Sequence, residues 1–198
     1  MKPSIFILEI TLLNTEPPVW RIVELKQTST LHELHAVIQI AMGWSNAHLY
    51  SFRKGAKSNE TEFMLPEYDA SGELYTGNNP QKFKLKDIFL NVGDTIEYEY
   101  DFGDGWKHEI LLKGKTIERA LSPYPMCVVG ARSCPPEDVG GVHGYAEMLK
   151  VLSGKDKKKI KEYTEWLGYE YNPDFFVCDR YDINFKRSVK YVIKGNSL

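Results

Sequence analysis

The chain has 198 residues, 42% of them hydrophobic, with 12 tyrosines, 9 phenylalanines, 4 tryptophans and a formal net charge of −2 at pH 7. This length and aromatic content are sufficient for one folded core and argue against intrinsic disorder. A net charge close to zero provides no basic field, so we expect neither a specific nucleic-acid partner nor a membrane partner.

Nothing in the sequence is typical of secretion. Within residues 1–10 the apolar run is too short for a signal peptide, and a charged residue ends it too early. No apolar run in the sequence reaches transmembrane length. The cysteines, Cys127, Cys134 and Cys178, are odd in number and widely spaced, which favours reduced thiols over a disulfide framework. We therefore expect a cytoplasmic location.

Alternating apolar and polar residues predict strands in the first half of the chain. Residues 4–13 and 19–26 form two such runs. The paired prolines between them cannot donate to a strand ladder, so we expect a hairpin. Another strand is predicted at 47–52. Residues 54–82 are rich in Gly, Ser, Asn and Pro, which is typical of a long, partly ordered lid or binding loop.

One helix has clear end signals. Thr30 and Glu33 form a capping box, and the apolar residues that follow recur with helical spacing over 31–42. Gly43 stands where a C-terminal capping glycine belongs. We expect this helix to cover a sheet, and we expect a short helical turn at 84–89.

The segment 96–112 is the centre of the sequence argument. Its residues alternate on both sides of Gly103-Asp104-Gly105, which predicts two antiparallel strands joined by a tight connection. The glycines permit positive φ, and Asp104 can hydrogen-bond the backbone of its own turn. Carboxylates, an indole and an imidazole crowd this end of the hairpin, which makes it the best candidate site.

The order of these elements is that of a β-grasp domain. It predicts an α+β protein with a β-grasp-like mixed sheet and one helix packed across it. We assign the core with its central hairpin to residues 1–115, and a C-terminal extension packed on it to residues 116–198, in a single compact domain. The Pro- and Gly-rich segment 121–144 is expected to be irregular. Helices are predicted at 145–152 and 157–166.

Five segments together resemble one known family. They are Pro-Pro-Val-Trp-Arg (17–21), Leu-His-Glu-Leu-His-Ala-Val-Ile-Gln (31–39), Gly-Trp-Ser-Asn-Ala-His-Leu (43–49), Tyr-Asp-Phe-Gly-Asp-Gly-Trp-Lys-His (100–108) and Cys-Pro-Pro-Glu-Asp-Val-Gly-Gly-Val-His-Gly-Tyr (134–145). Over roughly residues 5–180 the chain is similar to the plasmid (pRiA-type) open-reading-frame-three-like family, which includes passenger proteins of insertion elements. That family is largely uncharacterised, so the resemblance implies no activity. The sequence shows no serine- or tyrosine-recombinase constellation to match the resolvase label of some members.

The two late segments predict a shared site. Because 134–145 is too rich in Pro and Gly to form its own core, we expect it to lie on the hairpin. The predicted function is an intracellular binding module that holds a protein, peptide or small-molecule ligand in the cleft between 98–110 and 134–145, roofed by 54–82. Aromatic surface would come from the tyrosines and the tryptophan, and selectivity from the acidic pair. The candidate residues are Tyr98, Tyr100, Asp101, Asp104, Trp106, His108, Glu137, Asp138, His143 and Tyr145.

The alternative is a metal-dependent hydrolase or nuclease, since carboxylates and imidazoles are ligands of divalent metals. The candidate ligands are Asp101, Asp104, His108, Glu137, Asp138 and His143. A purely structural interpretation also fits them: Asp104 shapes the turn, Glu137 or Asp138 caps the next helix, and His108 packs beside Trp106. Like charges brought together need a cation, a proton or an arginine, and Arg132 is the local candidate.

Other reactive side chains are assigned structural roles. His32 and His35 lie on neighbouring helical turns without a third ligand, and His48 is interpreted as a core or edge histidine. Cys134 is interpreted as a small buried cysteine. A cluster of lysines is expected to be a solvated helix face; it comprises Lys155, Lys157, Lys158, Lys159 and Lys161.

Overall fold

A computed structural model of the chain describes residues 3–56, 58–68, 74–75, 77–178 and 182–195. The strands are β1 (Ile5–Leu12), β2 (Val19–Lys26), β3 (Tyr50–Lys54), β4 (Thr61–Met64), β5 (Glu67–Tyr68), β6 (Leu74–Tyr75), β7 (Thr95–Tyr100), β8 (Trp106–Thr116) and β9 (Met126–Ala131). The helices are α1 (Leu31–Met42), α2 (Leu85–Ile88), α3 (Gly141–Leu152), α4 (Lys157–Leu167) and α5 (Ile183–Ile193). None of these helices is long and apolar enough to cross a membrane.

Seven strands form one sheet in the order β4-β3-β7-β8-β1-β2-β9, and β5 pairs with β6 separately. The expected α+β class is therefore confirmed. The β-grasp-like arrangement is not confirmed: we predicted a mixed sheet, whereas each strand pairing in the seven-stranded sheet is antiparallel. The order of elements from β1 to β8 matches the prediction, but it did not determine how the strands pair.

The predicted central hairpin is present as β7 and β8. Tyr98 pairs with His108 and Tyr100 with Trp106, and all four side chains face the buried side of the sheet. The long β8 also pairs with β1, with a register shift between Ile7 and Leu8 of β1. The hairpin thus lies in the middle of the sheet and carries four fully buried ring side chains.

Helix α1 covers that buried side. Its capping box is complete, since Thr30 Oγ1 accepts from Glu33 N and the Glu33 carboxylate accepts from Thr30 N. Gly43 ends the helix with φ of 87°. Nine of its twelve residues are buried, more than one amphipathic stripe would bury, because α5 packs against α1 as well. The predicted helix, its bounds and both of its caps are confirmed.

The C-terminal part of the chain completes this core instead of lying on its outside. Strand β9 pairs with β2 and extends the sheet, so the expectation of irregular backbone throughout 121–144 is wrong for 126–131. It is also wrong after Gly140, because α3 begins at Gly141, four residues before the predicted 145. The prolines and glycines of this segment prevented the prediction of both elements. An edge strand has only one partner strand, so a proline close to it is tolerated.

Residues 54–82 were predicted to roof the binding cleft. Their described part forms β4, which pairs with β3 at the edge of the sheet, and the small β5–β6 pair. Residues 57, 69–73 and 76 lie outside the described residues, so the predicted roof is not tested over its whole length.

Two histidines are buried in the core. His35 Nε2 donates to Asn46 Oδ1 (2.7 Å), so Nδ1 of the neutral ring accepts from Tyr98 Oη (2.8 Å), and the ring stacks on Tyr50 with centroids 3.6 Å apart. His108 is fully buried between Trp44 and Tyr98, and neither of its ring nitrogens has a hydrogen-bond partner in the described structure. Burial lowers the pKa of each imidazole to about 3. Both are therefore neutral at physiological pH.

Truncation of Ile38 tests the packing of α1. The side chain is fully buried, so we expect Ile38→Ala to lower the free energy of unfolding by about 2–5 kcal/mol and Ile38→Val by only about 0.5–1.5 kcal/mol. Urea denaturation measures both. Equal small losses for the two variants would contradict the packing described.

Acid should destabilise the fold through His108. Its folded pKa lies near 3, below the unfolded value of about 6.5, so between these limits the unfolded chain binds a proton that the folded chain does not. Stability contributed by neutral His108 is complete above about pH 6.5 and is lost as pH falls, by up to about 1.4 kcal/mol per pH unit.

We expect His108→Leu to remove this part of the slope between about pH 4.5 and 6 while leaving stability at neutral pH unchanged or raised, because an unsatisfied polar group is removed. Urea denaturation across this range measures the slope. An unchanged acid slope in the variant would contradict the assignment.

Candidate functional site

The Glu137 carboxylate fixes the segment 134–140 to the rest of the protein. Its Oε2 accepts from Ser45 N (2.9 Å) and from Ser45 Oγ (2.5 Å), and its Oε1 accepts from Tyr100 Oη (2.5 Å). Burial and then this hydrogen bond raise the pKa of the Tyr100 phenol, so Tyr100 remains a neutral donor. A nearby bond, from Trp44 Nε1 to Pro135 O (3.0 Å), holds the same segment.

The turn of the central hairpin is organised by Asp101. Its Oδ1 accepts from Gly103 N (3.0 Å) and Asp104 N (3.4 Å), and its carbonyl accepts from Gly105 N (2.6 Å). Asp101 itself has φ of 55°. The sequence had assigned this turn-shaping role to Asp104, and that assignment is wrong. Because Oδ1 is occupied by the turn, Oδ2 is the oxygen that can bind another group.

Asp104 instead contacts the start of α3. Its Oδ2 accepts from Gly140 N (3.3 Å), and its backbone lies directly against Gly141. A Cβ atom on Gly141 would lie 2.4 Å from Asp104 O, and the Gly141 φ is 64°. Only glycine fits this position. The structure therefore brings the two late segments into contact, as their composition predicted.

Three side chains meet where these segments join. His48 Nε2 lies 3.7 Å from Asp101 Oδ2 and 3.5 Å from Asp138 Oδ1. One possible ligand atom from each residue lies within 4.8 Å of the others, and among the described residues this is the group that could hold a metal ion. Asp101 is buried, His48 is half-buried and Asp138 is 73% exposed at its side chain. The cluster therefore opens to solvent on the Asp138 side.

Arg132 does not neutralise these carboxylates, so its predicted role is wrong. It forms an ion pair with Asp174, and its backbone φ is 70°. The position between the two carboxylates belongs to His48, which comes from the loop before β3. Arg132 follows β9, and the direction of that edge strand takes its side chain toward the 172–175 turn.

The predicted aromatic residues do not form an exposed surface. Tyr98, Tyr100 and Trp106 are fully buried, and Tyr145 is 3% exposed with its hydroxyl 3.2 Å from Tyr171 Oη. The three hairpin rings belong to the core because the inward register of the hairpin faces α1, and Tyr145 joins the same core from α3. They cannot present an aromatic surface to a ligand, although Tyr100 reaches the site through its hydroxyl.

The six predicted metal ligands are only partly brought together. Asp101 and Asp138 enter the His48 cluster. Glu137 is used by its three hydrogen bonds, and Asp104 by Gly140. His108 lies in the core, where the structural interpretation placed it, although its nearest indole is Trp44 and not Trp106. His143 lies in the first turn of α3, outside the cluster, and the N-cap of α3 is Gly140 without a side-chain cap.

Sequence reasoning missed the contribution of the loop after α1. Ser45 and His48 each supply two of the contacts described above, and Trp44 supplies one. A signal was present, since the three residues fall in the segment 43–49 that carries part of the family resemblance. The interpretation of His48 used only the alternation of residues in a predicted strand. Alternation predicts which side of a strand a residue faces, but it does not identify residues from other segments that lie next to it.

The Glu137 contacts can be tested by a double-mutant cycle. We expect Glu137→Gln to lower the free energy of unfolding by about 1–3 kcal/mol, because charge-assisted hydrogen bonds are weakened. Tyr100→Phe should remove part of the same energy, giving a coupling of about 1 kcal/mol. The control is Glu170→Gln, an exposed position that should change stability by less than about 0.5 kcal/mol. Additive losses at Glu137 and Tyr100 would contradict the contact.

Comparisons with known proteins agree with this architecture. A solved structure titled as a protein of unknown function, MM3350 from Methanosarcina mazei Go1, superposes with a TM-score of 0.77 and 30% sequence identity, over 89% of this chain and 96% of that one. The uncharacterized protein y4hQ of Sinorhizobium fredii (strain NBRC 101917 / NGR234) is 37% identical over 172 residues, which cover 85% of this chain and 83% of that protein.

A family model matches across most of the sequence. The family is described as plasmid pRiA4b ORF-3-like protein, and the match spans residues 4–180. The match includes all five of the segments that carried the resemblance. The chain therefore belongs to the plasmid pRiA4b ORF-3-like protein family.

Proposed function

We propose that this protein is a binding module and that it binds a divalent metal ion through His48, Asp101 and Asp138. The observation that carries the proposal is the convergence of one ligand atom from each residue within 4.8 Å. Two ligands of a tetrahedral zinc ion, each about 2.0–2.2 Å from it, are about 3.3–3.6 Å apart. The His48 Nε2 distances of 3.7 Å and 3.5 Å are close to that spacing.

The donor set favours a borderline metal ion. One imidazole nitrogen and two carboxylate oxygens suit zinc, manganese or ferrous iron, whereas calcium requires six to eight oxygens. By the general affinity order of divalent metals, zinc should bind most tightly of these three. The two ends of the site are held before any ion binds, because the turn fixes Asp101 and the Glu137 contacts fix the residue before Asp138.

A second function, metal-dependent hydrolysis, is favoured by the exposure of the cluster. Three protein ligands leave a position of a tetrahedral ion for water, and Asp138 is 73% exposed at its side chain, so that position would be open to a substrate. Zinc-dependent cleavage of a phosphodiester or ester model substrate, lost in Asp138→Asn, would support it. Zinc binding without any cleavage would refute hydrolysis and support the binding function only.

Metal binding is tested by titrating zinc into metal-free protein in a calorimeter. We expect one zinc ion per chain, at least tenfold weaker binding in Asp138→Asn and in His48→Ala, and no effect of His143→Ala. His143 is the matched control, because it is a histidine in the same family segment but outside the cluster.

Equal weakening by His143→Ala, or unchanged binding in Asp138→Asn, would show that the ion lies elsewhere. Absence of zinc binding would refute the proposal.

A further inference from the structure

A large cleft lies beside the segment 133–137, which ends at Glu137. Its walls are the C-terminal end of α1, residues 133–137 and residues 166–177, and it encloses about 900 Å³. This volume is within the usual range of small-molecule sites. The sequence predicted a different cleft, between 98–110 and 134–145. In that place Gly141 and Asp104 are in direct contact.

The Arg21 guanidinium lies at the floor of this cleft and is 1% exposed. Its Nε donates to Ala41 O, its Nη1 to Trp20 O and Ala131 O, and its Nη2 to Arg132 O, each at 2.8 Å. A guanidinium has five N–H groups, so these four hydrogen bonds leave one N–H on Nη2 to bind another acceptor.

No acidic side chain pairs with this buried charge among the described residues. The acidic groups whose electrostatic effect raises the pKa of Arg21 are the thiols of Cys134, Cys127 and Cys178 and the phenol of Tyr171. Burial raises the pKa of Cys127 to about 12 and also raises the pKa of Cys134 and Tyr171, so these three are neutral. Burial lowers the pKa of Arg21, but arginine stays protonated in proteins.

The groups that do contact Arg21 balance its charge only in part. Ala41 O belongs to the last turn of α1, where the helix dipole contributes about half a negative charge. The ring of Phe176 lies over the guanidinium, 3.9 Å from its carbon, in a cation–π contact. A buried cation without a counter-ion is costly, and an anion in the cleft would complete its environment.

The 166–177 wall of the cleft carries a group of large apolar side chains. Trp166, Tyr169, Phe175 and Val177 are each at least half exposed and line it together. Large apolar side chains grouped at a cleft mark a ligand surface more often than scattered ones do. Glu137 and Glu170 also line the cleft, and their charges disfavour a dianion such as phosphate.

We propose that this cleft binds a small carboxylic acid with an aromatic or aliphatic body, its carboxylate next to Arg21 and its body against the 166–177 wall. The proposal is independent of the metal site, which uses other residues.

The test uses the full chain and pairs of probes that differ only in charge. Phenylacetate with phenylacetamide, and hexanoate with hexanamide, are titrated to millimolar concentration while amide resonances are followed by NMR. We expect the carboxylates to bind at least tenfold more tightly than their amides, with shifts in residues 133–137 and 166–177. Equal binding of acid and amide, shifts elsewhere, or no binding of any probe would overturn the proposal.

A charge variant tests the same point without disturbing Arg21, whose replacement would break contacts among β2, β9 and α1. Val177 is 73% exposed and lines the cleft. We expect Val177→Glu to weaken carboxylate binding severalfold through like-charge repulsion, whereas Val177→Gln should not, and amide binding should be the same in both. Equal carboxylate affinity in the two variants would overturn the assignment.

Discussion

The candidate site depends on the hydrogen bonds that the Glu137 carboxylate accepts from Ser45 and Tyr100. A carboxylate that is partly removed from water needs donors in place of its lost hydration, and here Ser45 and Tyr100 provide them without any positive charge. Because Ser45 follows α1 and Tyr100 ends β7, satisfying Glu137 also fixes the position of 134–140 relative to both elements. Asp138, the next residue, is thereby held beside His48 and Asp101.

Arg21 follows the same physical rule with the opposite charge. Its guanidinium is buried, and four of its five N–H groups donate to carbonyl oxygens from α1, β2 and the end of β9. Glu137 and Arg21 do not pair with each other, although both line the same cleft. Each joins distant parts of the chain through neutral partners, so the arginine charge has no counter-ion among the described residues. The two proposed sites therefore share one scaffold.

Local patterns were sufficient to predict α1 with both caps and the β7–β8 hairpin, because capping and alternation are properties of neighbouring residues. They were not sufficient for β9 or for the pairing of the sheet. An edge strand within a Pro- and Gly-rich segment has little alternation of its own, and its place depends on β2, a hundred residues earlier in the chain. The site was predicted in part for the same reason: Asp101 and Asp138 were named from their segments, whereas His48 joins them only through the fold.

The histidines show why composition alone could not identify the ligand. His35 and His108 are buried, and burial lowers the pKa of both to about 3; both are neutral at physiological pH, but among the described residues neither belongs to a group that could hold a metal ion. His48 differs because it is half-buried and faces two carboxylates. In the sequence, His35 and His48 each stand between two aliphatic residues, whereas His108 stands between Lys107 and Glu109. What separates them is whether the chain brings acidic groups to the imidazole, and that is decided by the Glu137 contacts and by the close approach of Gly141 to Asp104.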